Sequence, residues 1–201
     1  MLREEWLNKM STELLKIIEK NGYDVNKKIR ISCGLPSRRA FGAKQKTIGQ
    51  CWNKNLSADQ TYEIFISPTI DDSIQVSETL IHELIHAVVG IDKGHGSEFK
   101  KCAMASGLTG KMTATTGTQE LKTYIEEKII FMGEYPHRKI DYNQIKRQST
   151  RLVKVFCGNE NCLHFISENR PYIARVSSRT IDYGLPRCGC CDTIMQKDQK
   201  K

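Results

Sequence analysis

His82, Glu83 and His86 stand in the order H-E-x-x-H inside the apolar-periodic run 76–89. On a helix, residues four apart lie on one face, so both imidazoles can reach one metal ion. Glu83, next to the first histidine, can reach a water at that ion. Two histidines and a general base are the minimum kit for metal-assisted peptide hydrolysis, and a purely structural zinc site has no need of the carboxylate. A third histidine follows in Gly94-His95-Gly96. The chain can turn at Gly90, return through Asp92-Lys93-Gly94 and bring His95 to the same metal. The competing reading is a helix with two satisfied histidines. It accounts for neither the glutamate nor the third imidazole. Should Glu83 not be the base, Glu78 and Glu98 are the carboxylates next in line. Met104 and Met112 read as core filling rather than as a floor beneath the metal.

A second cluster has different chemistry. Cys157 and Cys162 are followed by Cys188-Gly189-Cys190-Cys191. Two cysteine knuckles across a short β segment predict a zinc ribbon. So small a unit has little apolar core, so the metal would supply its stability. Cys191 forms C-x-x-C with Cys188, whereas Cys190 forms C-x-C. Knuckle geometry favours Cys191, with Cys190 as the alternative and His164 as a spare donor. The expected cofactor is zinc, two ions: one catalytic on His82, His86 and His95, one structural on Cys157, Cys162, Cys188 and Cys191. Cys33, Cys51 and Cys102 are isolated and read as small buried hydrophobes.

These residues need elements to position them. Trp6, Met10, Leu14, Leu15, Ile17 and Ile18 make an apolar face on a helix over 3–20, ended by Asn21-Gly22. Segments 28–32, 47–52 and 62–67 read as strands, and the glycine- and arginine-rich 34–46 as a loop. The segment 67–73 carries start signals for the motif helix and Gly90 its stop. A further helix over 97–106 stops at Gly107, the small and polar 108–117 reads as a loop, and 118–132 is helical again. The predicted class is α+β. A small antiparallel three-stranded sheet packs on helices that include the H-E-x-x-H helix, and a C-terminal zinc ribbon follows. The expected domains are 1–135 for the metal-hydrolase unit, 136–150 for a basic linker, 151–195 for the ribbon and 196–201 for a charged tail.

At 201 residues, 39% of them hydrophobic, the chain can build one sizeable core plus a small module. Mean hydropathy is -0.48, and no run approaches the ~20 apolar residues that span a bilayer. The start, Met1-Leu2-Arg3-Glu4-Glu5-Trp6, does not read as a signal peptide. The expectation is a cytoplasmic protein, a monomer with no membrane partner. Net charge is +8, which favours polyanionic partners. Lys146, Arg147, Arg151, Lys154 and Arg175 are the candidate nucleic-acid contacts. They are interleaved with Tyr142, Phe156, Phe165, Tyr172 and Tyr183, which can stack on unpaired bases. The bland alternative is a solvated linker beside a ribbon whose own core holds Phe156 and Phe165.

The stretch His82-Glu83-Leu84-Ile85-His86-Ala87, a short connector, and Gly94-His95-Gly96-Ser97-Glu98-Phe99 resembles the SprT-like zinc metalloprotease family. That family includes the DNA–protein crosslink protease Spartan, and its pattern is H-E-x-x-H-A, a variable connector and G-H-G-x-x-F. The strand before the motif helix and the late cysteine ribbon fit the same layout. The resemblance implies a zinc endopeptidase whose protein substrates are bound or crosslinked to DNA, with single-stranded or distorted DNA as a partner. Two other readings remain open. One is a zinc-ribbon nucleic-acid-binding protein with an inactive metal domain, which the intact Glu83 argues against. The other is a metallopeptidase acting on peptides or cell wall without nucleic acid.

Overall fold

The computed structural model describes residues 1–40, 46–141 and 152–198. The chain divides into two compact units, Met1–Ile145 and Lys146–Lys201. Both mix helices with small sheets.

The first unit begins with α1, Arg3–Lys20. Trp6, Leu7, Met10, Leu14 and Ile18 recur at helical spacing, and all are fully buried. Glu4 and Glu5 in the first turn and Lys20 in the last oppose the helix dipole. Strands β1 (Ile29–Cys33), β2 (Gly49–Trp52) and β3 (Tyr62–Ile66) follow. They form one sheet in the order β1-β3-β2. The sheet is mixed, which corrects the antiparallel expectation: β3 pairs antiparallel with β2 but parallel with β1. The reason lies in the connection. Parallel neighbours need a crossover of a dozen residues or more, and 34–61 supplies it while placing β2 on the far side of β3.

Helix α2, Ser73–Val89, is the centre of the unit. The Asp72 carboxylate accepts from the Gln75 amide at 2.8 Å, capping the N-terminus. Gly90, at φ 106, ends the helix in a conformation that side chains rarely adopt. Val76, Leu80, Ile81, Leu84 and Ile85 are fully buried. Burying each such side chain is worth about 1.5–3 kcal/mol, enough to fix the helix's rotation about its axis. Around it pack α1, β2, β3, α3 (Ser97–Ala105) and α4 (Gln119–Met132).

Between α3 and α4 the expected loop is a hairpin, β4 (Leu108–Lys111) with β5 (Ala114–Gly117), in register Gly110↔Thr115. Its β-branched threonines suit strands. Only Leu108 and Gly117 are buried, however, so no apolar alternation announces it. After α4 the chain stays on this unit. The indole of Trp6 donates to Gly133 O at 2.8 Å, Tyr135 meets Trp6 edge-on at 5.1 Å, and Ile140 N donates to Pro68 O.

In the second unit, β6 (Leu152–Phe156) is central, with β7 (Ile173–Ser177) and β8 (Gln196–Lys197) antiparallel on either side. Short helices α5 (Leu163–Glu168) and α6 (Ser178–Asp182) complete it. Its buried cluster is Val155, Met195 and three cysteines, Cys157, Cys162 and Cys188. Among the described residues of the chain no helix is long and apolar enough to cross a membrane.

Candidate active site

The dry inner turn of α2 carries Glu83, and its neighbouring positions carry His82 and His86. The connector 90–96 folds back as a single 3-10 turn, Ile91–Lys93, and brings His95 over the helix. His82 Nε2 lies 3.1 Å from His95 Nε2, and His86 Nε2 lies 3.2 Å from the same atom. Ligands at ~2.0–2.1 Å around a tetrahedral zinc stand roughly 3.3–3.4 Å from one another. His95 Nε2 therefore stands from each of the other two nitrogens at close to ligand–ligand spacing, and with all three within 4.8 Å of one another they form a group that could hold a metal ion.

Burial and the neighbouring imidazoles lower the proton affinity of this group. His82 is pushed down to about 3, first by desolvation and then by His86 and His95. His86 falls to about 4, again first by desolvation, and His95 falls by desolvation alone. Neutral imidazole is the form that ligates metal. The Thr115 hydroxyl on β5 lies 2.9 Å from His82 Nδ1. A proton held there on Nδ1 leaves the Nε2 lone pair for the metal, the usual arrangement behind a ligating histidine. His86 Nδ1 is buried with no such partner among the described residues.

Beneath the three rings lies Phe99 of α3, fully buried. Its centroid is 4.9 Å from His82, 4.3 Å from His86 and 4.9 Å from His95. Phe99 is thus the floor of the site. Met112 packs against the core, but Met104 is 58% exposed, which corrects its reading as core filling.

Glu83 is buried, and desolvation pushes its carboxyl up to about 8 while the Cys51 backbone amide pulls the other way. A dication held beside it would favour the carboxylate. Its room is made by β2. A Cβ placed on Gly49 would come within 2.6 Å of Glu83 Oε1 and 2.6 Å of Thr79 Cγ2. Gly49→Ala should therefore push the carboxylate aside. We expect a loss of about 1–3 kcal/mol of stability from overpacking, with metal content unchanged and catalytic turnover down by about 10-fold or more, the scale on which a misplaced group costs rate. Wild-type turnover in that variant would show that Glu83 has slack.

The other two carboxylates do other work. Glu78 accepts from the Gly117 amide at 2.8 Å and lies 3.8 Å from Lys122, fastening the hairpin to α2. Glu98 is exposed and lies 3.5 Å from Lys93. The site opens into a cleft of about 770 Å³. One wall is 46–51 with Arg39, the other is Lys111 and 113–115, and the histidines and Glu83 form the base. Among the described residues no tyrosine lines it.

The cysteines of the second unit converge separately. Cys157 Sγ is 3.5 Å from Cys191 Sγ, and Cys162 Sγ is 3.8 Å from Cys188 Sγ. Tetrahedral zinc thiolates at ~2.3 Å stand roughly 3.8 Å apart, and these four sulfurs form the second group able to hold a metal. Cys190 is exposed and points only its backbone N–H at Cys188 Sγ, 3.4 Å away. His164 pairs its Nδ1 with Arg170 O and lies outside the cluster.

Of the expected nucleic-acid contacts, Lys146, Arg147 and Arg151 lie outside the described residues, as does Tyr142. Lys154 and Arg175 face each other across β6 and β7. Lys154 Nζ is 3.0 Å from an Asp198 carboxylate oxygen, while Arg175 is exposed. Side chains alternate along a strand. Val155 points into the core, so Lys154 and Phe156 share the outer face. Phe156 is absent from the packed cluster that holds Phe165, which corrects its assignment to the ribbon core.

Sequence reasoning gave no role to Gly49, Thr115 or Phe99. Only Phe99 had a signal, its place three residues after Gly96. Among known families, the SprT-like model matches residues 37–120, a span that holds all three histidines, Glu83, Gly49, Phe99 and Thr115 but none of the clustered cysteines. No curated protein and no solved structure matches the chain.

Proposed function

We propose that this chain, SprT-like over residues 37–120, is a zinc-dependent endopeptidase that acts on proteins bound or crosslinked to DNA. The observation that carries the reading is the convergence of three Nε2 atoms beside a buried carboxylate in an open cleft. His82, His86 and His95 would hold the catalytic ion, and Cys157, Cys162, Cys188 and Cys191 the structural one. When bound, the catalytic zinc supplies Lewis acidity that polarises a carbonyl and lowers the pKa of water toward ~7.

The rest of the chemistry belongs to the chain. Glu83 takes a proton from water at its carboxylate and returns it to the leaving amine. Thr115 keeps His82 in the tautomer that ligates through Nε2. Phe99 excludes water from below the rings. The substrate backbone has an obvious berth. Ile48 O accepts from Ser67 N at 2.8 Å. Groups in an antiparallel pair alternate, so Gly49 and Cys51 turn their N–H and C=O groups away from β3, where the Cys51 N–H meets the Glu83 carboxyl and the Gly49 N–H and both carbonyls face outward. Among the described residues no strand pairs there. An extended peptide can add to this edge and pass its carbonyls across the site.

Three features support the DNA part of the reading. These are the basic character of the chain, the exposed Tyr183, and the outer ribbon face on which Phe156 stands beside the cross-strand pair Lys154 and Arg175. Basic groups neutralise phosphate, and a stacked base contributes about 1–3 kcal/mol. The test is cleavage of a DNA-binding protein by zinc-loaded full-length chain, with and without single-stranded DNA. Cleavage stimulated by DNA is expected. Phe156→Ala with Arg175→Glu should lose the stimulation and keep basal activity. Absence of cleavage under all conditions overturns the protease reading, and cleavage indifferent to DNA overturns the DNA part.

A further inference from the structure

The exposed charged side chains that line the cleft around the histidines are all basic. Arg39 and Lys46 stand on the β2 side and Lys111 on the hairpin side. All three are exposed. Two carboxylates line the cleft, and both are engaged: Glu78 holds the Gly117 amide, and Glu83 is buried against β2. Among the described residues neither Lys46 nor Lys111 has a carboxylate within ion-pair distance. The segments 41–45 and 142–151 contain no Asp or Glu that could supply one. A cleft with cations on both walls concentrates anions.

We propose that the cleft selects peptide segments rich in Asp and Glu, with Lys46 and Lys111 as specificity-determining residues on its two walls. A nucleic-acid strand fits this cleft less well. Among the described residues the aromatic side chains that line it are the three imidazoles, which the candidate metal site takes up, so none of the described residues offers unpaired bases a platform. Among the described residues no strand pairs with the outer edge of β2, and its Gly49 N–H and the Gly49 and Cys51 carbonyls offer main-chain partners at peptide spacing instead. The inference rests on the endopeptidase reading for its choice of a peptide as ligand. It also fits a protease brought to DNA. A bound protein turns its basic face to the phosphates, and the face left open to attack is the more acidic one.

The test uses zinc-loaded full-length Glu83→Gln and three fluorescein-labelled peptides identical except for Glu, Gln or Lys around a central apolar residue. Binding is read by anisotropy at low and high salt. Each exposed lysine–carboxylate pair is worth roughly 2–5-fold, so the Glu peptide should bind about 10-fold tighter than the Gln peptide, with the gap closing as salt rises. Lys46→Glu with Lys111→Glu should reverse the order. Equal binding of the three peptides, binding of none, or an order unchanged by the reversal overturns the inference. Displacement of the Glu peptide by an oligonucleotide from a Lys154→Glu, Arg175→Glu variant reassigns the cleft to nucleic acid and overturns it too. Cleavage by the otherwise wild-type chain separates the two readings. An acidic preference in binding with no cleavage of any peptide leaves the inference standing and removes the protease. Cleavage at equal kcat/KM across the set does the opposite.

Discussion

Glu83→Gln should lower peptide cleavage by about 10²–10⁴-fold, the range that a positioned general base contributes, while the protein keeps its full metal content. The two effects separate because Glu83 is not among the converging donors. Its carboxylate sits in the space that Gly49 leaves open, and glutamine fills that space with almost the same shape. What glutamine cannot do is accept a proton. His95→Ala should behave differently, losing one of the three nitrogens and with it both metal and activity. Elemental analysis beside single-turnover cleavage reads both quantities on one sample. Proteolysis at the wild-type rate by Glu83→Gln would remove the general base from the mechanism. Neither Glu78 nor Glu98 stands ready to replace it, since the first is tied to Gly117 and the second faces solvent beside Lys93.

The second large effect concerns the ribbon. Metal-replete protein should hold two zinc ions per chain, and Cys157→Ser with Cys162→Ser should hold one. The lost ion takes the second unit with it. Three of the five residues in that unit's buried cluster are cysteines, so without metal its fully buried part reduces to Val155 and Met195 amid unpaired thiols, with partly buried side chains such as Phe165, Tyr172 and Val176 around them. Structural zinc binding is worth about 10–16 kcal/mol at neutral pH, more than so small an apolar cluster can replace. Hydrogen exchange should show residues 152–198 unprotected in the double variant and α1, α2 and β3 as protected as in the parent. One zinc in the parent protein, or two in the variant, rules out the two-site assignment.

The motif helix was legible in the sequence because its cues agree. Asp72 caps it, Gly90 stops it, and the stripe from Val76 to Val89 has one period throughout. The cysteine spacing likewise announced the convergence of Cys157, Cys162, Cys188 and Cys191 with no help from packing. What the sequence hid is non-local. Whether β1 runs with or against β3 depends on the path of 34–61, which no residue type declares. The β4–β5 hairpin escaped because it is threonine-rich on both faces, and the partner of His82 escaped with it, since Thr115 meets that ring only once the hairpin is fastened by Glu78. Met104 shows the opposite error: a hydrophobic residue at a plausible position that the helix turns outward.

Phe99 carries a thermodynamic consequence. Its ring holds three imidazoles at their ligating distances within a unit whose core is complete without any ion. Loading zinc there orders almost nothing, so the heat-capacity change on binding should be small. In the cysteine unit, binding and folding should be one event, with a heat-capacity change that is large and negative, the mark of apolar surface leaving water. Calorimetry on one chain would then show two zinc ions of similar charge and coordination number with unlike temperature dependence. One enters a finished socket, and the other builds its own.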